Sequence, residues 1–128
     1  MYLGIDLGRR KTGLAISEGS IASPYKTIIH ESLAQAVEKT VHEIDNLGAE
    51  IIVLGYVEGK NKAYFEKFGK LIKSKRPNIK IIMEDETLTT GQARQTMVKL
   101  QLPQKKKSKK EDSIAASIIL QGYLNAND

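Results

Sequence analysis

The sequence predicts an α/β fold: a mixed sheet of five strands, three antiparallel at the N-terminus and two parallel after them, flanked by helices. Three observations predict it. Short apolar or alternating runs crowd the N-terminal third; helical periodicity sets in after Ser32; and two compact apolar runs, Ile51 to Leu54 and Ile79 to Met83, are separated by a helical segment. Strands joined by short turns pair antiparallel, whereas strands joined through helices pair parallel with both faces covered.

Taken in order, Tyr2 to Leu7, Gly13 to Ser17 and Lys26 to Ile29 read as a meander of strands separated by turn residues. Ser32 opens the first helix. It has capping-box spacing to Gln35, and Leu33, Ala36, Val37, Thr40, Val41, Ile44 and Leu47 recur at helical intervals up to Gly48. A second helix is expected from about Lys62 to Lys75, stopped before Pro77. Thr89 and Gln92 repeat the capping spacing ahead of Ala93, Met97 and Leu100, and Leu102-Pro103 ends that helix. "QKKKSKKED", Gln104 to Asp112, reads as a charged loop; beyond it Ile114, Ala115, Ile118, Ile119 and Tyr123 form an amphipathic final helix that starts at Asp112. With no internal repeat or linker, residues 1–128 are expected to form one domain.

Composition narrows the chemistry. The absence of cysteine excludes thiol catalysis, thiolate metal sites and disulfides. Met1 leads straight into a strand-like run, and no apolar stretch is long enough to span a bilayer, so a soluble, cytoplasmic protein is expected. A net charge of +5 favours an anionic partner such as nucleic acid. His30 and His42 have neither metal-pair nor triad spacing and read as surface or boundary residues.

Three carboxylates stand beside apolar structure: Asp6 in the first strand, Glu86 after the last, and Asp112 on the final helix. Strand alternation puts Tyr2, Gly4 and Asp6 on one face, with Gly4 leaving open space beside the acid. Asp112 shares a helix face with Ala115, Ala116 and Ile119, which turns it toward the sheet. Acids gathered without cations raise one another's pKa, a conflict that a divalent cation relieves; carboxylate oxygens suit Mg²⁺ or Mn²⁺, and phosphodiester hydrolysis is a chemistry of such sites. Each acid also admits a structural role: Asp6 as a turn residue before Gly8, Glu86 as part of a solvated "EDE" run, Asp112 at the positive end of a helix.

At these residues the chain resembles the YqgF/RuvX family of pre-16S rRNA nucleases and Holliday junction resolvases, within the RNase H-like superfamily. The resemblance runs nearly end to end through four ordered motifs: "GIDLGRRKTGLAIS" from Gly4 to Ser17, "IIVLGYVEG" from Ile51, "DETLTT" from Asp85 to Thr90, and "KKEDSIAASIILQGYL" from Lys109 to Leu124. It implies an RNase H-like mixed sheet and Mg²⁺- or Mn²⁺-dependent hydrolysis of phosphodiester bonds, with Asp6, Glu86 and Asp112 as catalytic metal ligands. Two departures stand out: Thr87 replaces the family's arginine in "DERLTT", and "GYV", Gly55 to Val57, replaces "GLP".

Two basic clusters flank the acids in sequence. Arg9, Arg10 and Lys11 follow Asp6 in a turn, and Lys105, Lys106, Lys107, Lys109 and Lys110 precede Asp112; together they would gather a phosphate backbone with little sequence preference. The lysine run also reads as a solvated loop without a specific contact. Aromatic residues are 5% of the chain, so no extensive base-stacking platform is expected. The expected function is therefore a nuclease acting in 5′-end processing of pre-16S rRNA, as monomer or homodimer. A Holliday junction resolvase acting on branched DNA and a non-catalytic nucleic-acid-binding module are the alternatives. The chain is too short for the two lobes of an actin-like ATPase, the other fold that opens on a "GIDLG"-type loop.

Overall fold

The computed structural model describes residues 1–57, 59, 61–85 and 104–127, the last of these as backbone alone over 104–111. The five strands are β1 (Tyr2–Leu7), β2 (Lys11–Ser17), β3 (Ser23–Ile29), β4 (Ile51–Tyr56) and β5 (Lys80–Asp85), in the spatial order β3-β2-β1-β4-β5. β1 pairs antiparallel with β2, and β2 with β3; β4 pairs parallel with both β1 and β5. The expected mixed sheet is thus the one formed. The helix expected over Thr89 to Leu100 lies outside the described residues.

Helix α1 (Leu33–Leu47) begins and ends where its caps dictate. The Ser32 hydroxyl accepts the Gln35 backbone N–H at 3.1 Å, and Gly48 closes the helix at φ 68°, a left-handed conformation that glycine takes without strain. The Gln35 side chain reaches one residue past the cap and accepts from the Glu31 N–H at 2.9 Å. Helix α2 (Lys62–Lys75) follows β4 and packs with α1 over one face of the sheet. There Leu3, Ile5, Leu7, Leu14, Ile52 and Leu54 meet Val37, Val41, Ile44, Phe68 and Ile72 in the larger core. Phe68 and Ile72 are essentially inaccessible to water, so this face supplies most of the large-side-chain burial.

Helix α3 (Gln104–Ala126) covers the other face. Its start corrects the expectation of a charged loop over Gln104 to Asp112: the lysine run is helical, and Asp112 lies about two turns inside the helix. Lysine, glutamine and glutamate are good helix formers, and neither glycine nor proline interrupts the chain between Pro103 and Gly122. High charge here does not mean absence of structure. The core under α3 is smaller and made of Ala15, Ala22, Val53, Ala116, Ile119, Leu120 and Leu124. Gln121 ties the helix to the β2–β3 connection, accepting from the Ala22 N–H at 2.9 Å and donating to the Ser20 carbonyl at 2.9 Å.

Lys11 belongs to β2, so the first turn is Gly8 to Arg10 alone. His30 is buried at 1% exposure, because β3 alternation carries Ile28 and His30 inward while Ile29 faces out. Its Nε2 lies 2.7 Å from the Thr12 hydroxyl, and burial, aided by Lys39, holds its pKa below the ordinary histidine value.

Candidate active site

The site takes its shape from three glycines and one helix. Asp6 is half-buried near the C-terminal end of β1, with Gly13 of β2 directly opposite it. Asp6 shares its face of the strand with Gly4, and that face looks toward α3. A Cβ on Gly4 would lie 2.7 Å from Leu120 Cβ and 3.0 Å from the Ala116 carbonyl oxygen. The open space expected beside Asp6 at Gly4 is therefore filled by the helix; the missing side chain serves close packing and leaves no room for a ligand there.

Gly13 does the same two residues' length further along the sheet. A Cβ there would fall inside the backbone carbonyl of Asp112, with Ser113 N at 2.7 Å. Asp112 thus rests on the residue that faces Asp6 across the β1–β2 ladder, and the two acids, separated by most of the chain, come to one end of one sheet face. Asp112 is half-buried, with Ser113 fully buried next to it.

On the other side of β1 the parallel register pairs Ile5 with Leu54, and one step further on Gly55 stands level with Asp6. Gly55 pairs with Glu84, which places Glu84 on the Asp6 face with only a glycine on the intervening strand. Burial first, and then the neighbouring charge of Asp85, raise the Glu84 pKa above the ordinary carboxylate value. Asp85 pairs with Tyr56 and so falls on the opposite face. The apolar run of the sequence ends at Met83, but β5 continues to Asp85, and the alternation of that longer strand is the signal that identifies Glu84.

Glu86 and Thr87 lie outside the described residues. Among the described residues no three His, Cys, Asp or Glu side chains are grouped closely enough to hold a metal ion. The donor chemistry of Asp6 and Asp112, hard carboxylate oxygens without nitrogen or sulfur, suits Mg²⁺ or Mn²⁺ and not a softer metal.

The basic residues sort into distinct settings. Arg9 and Arg10 are exposed in the turn, and Lys11 is exposed at the start of β2. The Arg10 carbonyl accepts from the His30 N–H at 2.9 Å, which anchors the turn to the end of β3. Arg9 is held by its side chain: Cζ lies 4.0 Å from the Tyr64 ring centroid, and Nη2 donates to Asn61 Oδ1 at 3.2 Å. Tyr64 in turn donates to the Gly8 carbonyl at 3.2 Å. Lys105, Lys106, Lys107, Lys109 and Lys110 occupy the first turns of α3, leading toward Asp112.

A mixed sheet in this order, with a helix laid across its first strand beside an aspartate, is the architecture of RNase H-like nucleases. Structural comparison agrees. The fold is similar to that of the Fowlpox virus resolvase in complex with substrate Holliday junction DNA, at a TM-score of 0.67 and 14% identity over 98% of this chain and 97% of that one. It is also similar to T. thermophilus RuvC in complex with a Holliday junction substrate, at a TM-score of 0.61 and 12% identity over 98% and 94% of the two chains. At the level of sequence, residues 1–126 match the family model described as "RuvX: Holliday junction resolvase", and the chain belongs to that family. Among its relatives are proteins named "Putative pre-16S rRNA nuclease" from Acetivibrio thermocellus, 35% identical over 97% of this chain and 94% of the relative, and from Clostridium botulinum strain Hall, 34% identical over 97% and 96%. Among the described residues no helix is long and apolar enough to cross a membrane.

Proposed function

We propose that the protein is a metal-dependent nuclease that hydrolyses phosphodiester bonds, with the 5′ end of pre-16S rRNA as its substrate. The observation that supports this reading is the packing of the Asp112 backbone carbonyl against Gly13, the cross-strand partner of Asp6. Asp6 and Asp112 would hold Mg²⁺ or Mn²⁺, with Glu86 as the third carboxylate. When bound, the cation offsets the negative charge of the phosphodiester and activates the attacking water. The chain's own contribution is positional. β1 and α3 are rigid elements, so both carboxylates are presented without the ordering cost that loop-borne ligands carry. Arg9, Arg10 and Lys11 at the strand end, and the lysines of α3 on the approach to Asp112, draw the phosphate backbone toward the acids and hold it largely independently of sequence.

The choice of RNA follows the names of the curated relatives, which are a third identical to this chain over nearly its whole length. The resolvase alternative follows the family description and the solved neighbours. One experiment separates them: a 16S rRNA precursor and a synthetic four-way DNA junction incubated side by side with Mg²⁺, Mn²⁺ or chelator. Precursor cleavage that needs metal and is lost in Asp6→Asn is the expected result. Cleavage of the junction alone overturns the RNA assignment, and cleavage of neither, or undiminished cutting by Asp6→Asn, overturns the nuclease.

A further inference from the structure

We propose that Arg9, braced by Tyr64 and Asn61, forms a binding subsite for a backbone phosphate that neighbours the cleaved one. This rests on the nucleic-acid reading above and adds to it a pair of positioning residues, Tyr64 and Asn61, brought to the site from the start of α2.

Two other cations of the molecule sit against carboxylates. Lys26 is paired with Glu43 at 2.9 Å, and Arg76 grips Asp45 through two hydrogen bonds, Nε to Oδ1 at 2.8 Å and Nη2 to Oδ2 at 2.5 Å. Their charges are compensated. Arg9 is built differently: its partners among the described residues are a neutral amide and an aromatic ring. The ring shelf fixes the guanidinium plane, and Asn61 takes one N–H of Nη2, which leaves donors on the remaining edge and a full positive charge. Asn61 is committed to this arrangement. It precedes α2 at φ 57°, the one non-glycine residue with positive φ among those described, and its side chain makes no capping bond to the helix and accepts from Arg9 instead.

An exposed arginine held in one pose, with no carboxylate on it among the described residues, is preorganised for an anion. Its rotamers are restricted before binding, so less freedom is lost when the phosphate arrives. The second anchor fixes where that phosphate lies. The Tyr64 hydroxyl holds the Gly8 carbonyl, so the Arg9 shelf and the turn that follows Asp6 move as one body. Arg9 is three positions beyond Asp6, which bounds their Cα separation at about 11 Å. A single strand of nucleic acid therefore spans both. Arg10 and Lys11 have no comparable brace among the described residues, and their charges act diffusely.

The test is binding of a short labelled RNA strand, and of the DNA of the same sequence, in chelator across a series of salt concentrations. Melting curves of every variant are recorded alongside. Arg9→Ala is expected to weaken binding about tenfold and to lower the slope of log affinity against log salt by about one. Arg9→Lys keeps the slope but loses most of the affinity, because an ammonium lacks the planar fork. Tyr64→Leu keeps the slope and weakens binding a few-fold, an effect that a purely structural tyrosine would not produce in molecules still folded at the assay temperature. Affinity lost with an unchanged slope in Arg9→Ala would mean that the guanidinium stacks on a base, and would overturn the phosphate assignment. Wild-type affinity in Arg9→Ala overturns the subsite altogether, as does absence of any binding by the wild type. The nuclease reading is scored separately: Arg9-dependent binding without cleavage in Mg²⁺ or Mn²⁺ keeps the subsite and removes the nuclease, whereas cleavage by Arg9→Ala at the wild-type KM does the reverse.

Discussion

The two faces of the sheet share the same strands and use opposite side-chain sizes. Toward α1 and α2, β1 presents Leu3, Ile5 and Leu7, and β4 presents Ile52 and Leu54, against Phe68 and Ile72. Toward α3, β1 presents Gly4 and Asp6, β2 presents Gly13 and Ala15, and β4 presents Val53 and Gly55. The first face holds its helices at a distance set by large side chains and gains from the apolar area removed from water. The second lets a helix backbone touch strand backbone. Close approach contributes less burial, but it fixes where Asp112 sits relative to Asp6 with no flexible side chain in between. One face is built for stability and the other for position.

That contrast breaks most visibly at Phe68. Phe68→Ala empties the center of the large-residue core and is expected to lower unfolding free energy by about 3–5 kcal/mol, read by denaturant titration. Cleavage per folded molecule, measured below the melting transition, should stay at the wild-type level because nothing on the α3 face moves. A loss of cleavage out of proportion to the folded fraction would show that the two faces are not independent.

Gly13→Ala is the complementary change. Its methyl group meets the Asp112 carbonyl, so α3 must lift. Overpacking of this kind lowers stability by about 1–3 kcal/mol, less than the Phe68 truncation. Displacing Asp112 by an ångström or so should nonetheless lower kcat about a hundredfold, while KM for the precursor changes little. Should kcat fall only in proportion to stability, Gly13 would be a packing residue with no bearing on the geometry of the acids.

How much of this is legible in the sequence differs between the faces in the same way. The face toward α1 and α2 is written in periodicity: Ser32, the helical repeat and Gly48 mark α1 within a residue of its bounds, and the apolar runs mark β4 and β5. The α3 face is written in absences, and an absent side chain does not say what occupies its space. Gly4 therefore read as room for a ligand when it is room for Leu120 and Ala116. Charge misled at Gln104 to Asp112, where helix propensity was the better guide. Asp6 and Asp112 were identifiable as acids beside apolar structure, but their meeting depends on Gly13, whose partner lies on the far end of the chain. The brace on Arg9 could not be read at all, since Tyr64 and Gly8 are 56 residues apart and no local pattern links them.

The smallest expected effect concerns a buried charge outside both the core and the site. Glu43 on α1 is 6% exposed and accepts from the Tyr25 hydroxyl at 2.8 Å and the Lys26 ammonium at 2.9 Å, joining the edge strand β3 to the helix layer. Burial opposes its ionisation, yet the hydrogen bonds from Lys26 and Tyr25 outweigh burial and hold its pKa below the ordinary value of 4.5. A carboxyl whose pKa is lower folded than unfolded binds fewer protons in the folded state. Its stabilisation is therefore complete above the unfolded pKa and is lost as pH falls through the folded one. Wild-type stability should decline with acid in the window that opens near pH 4.5 and extends below it, and Glu43→Gln should flatten that decline while lowering stability at neutral pH. Lys26 is largely solvent-exposed, so screening keeps its share of the effect small, and high salt should weaken the acid dependence only in part. An acid decline identical in Glu43→Gln and wild type would place the titrating group elsewhere and remove Glu43 as its source; Glu84, whose pKa is raised, contributes with the opposite sign and cannot supply it.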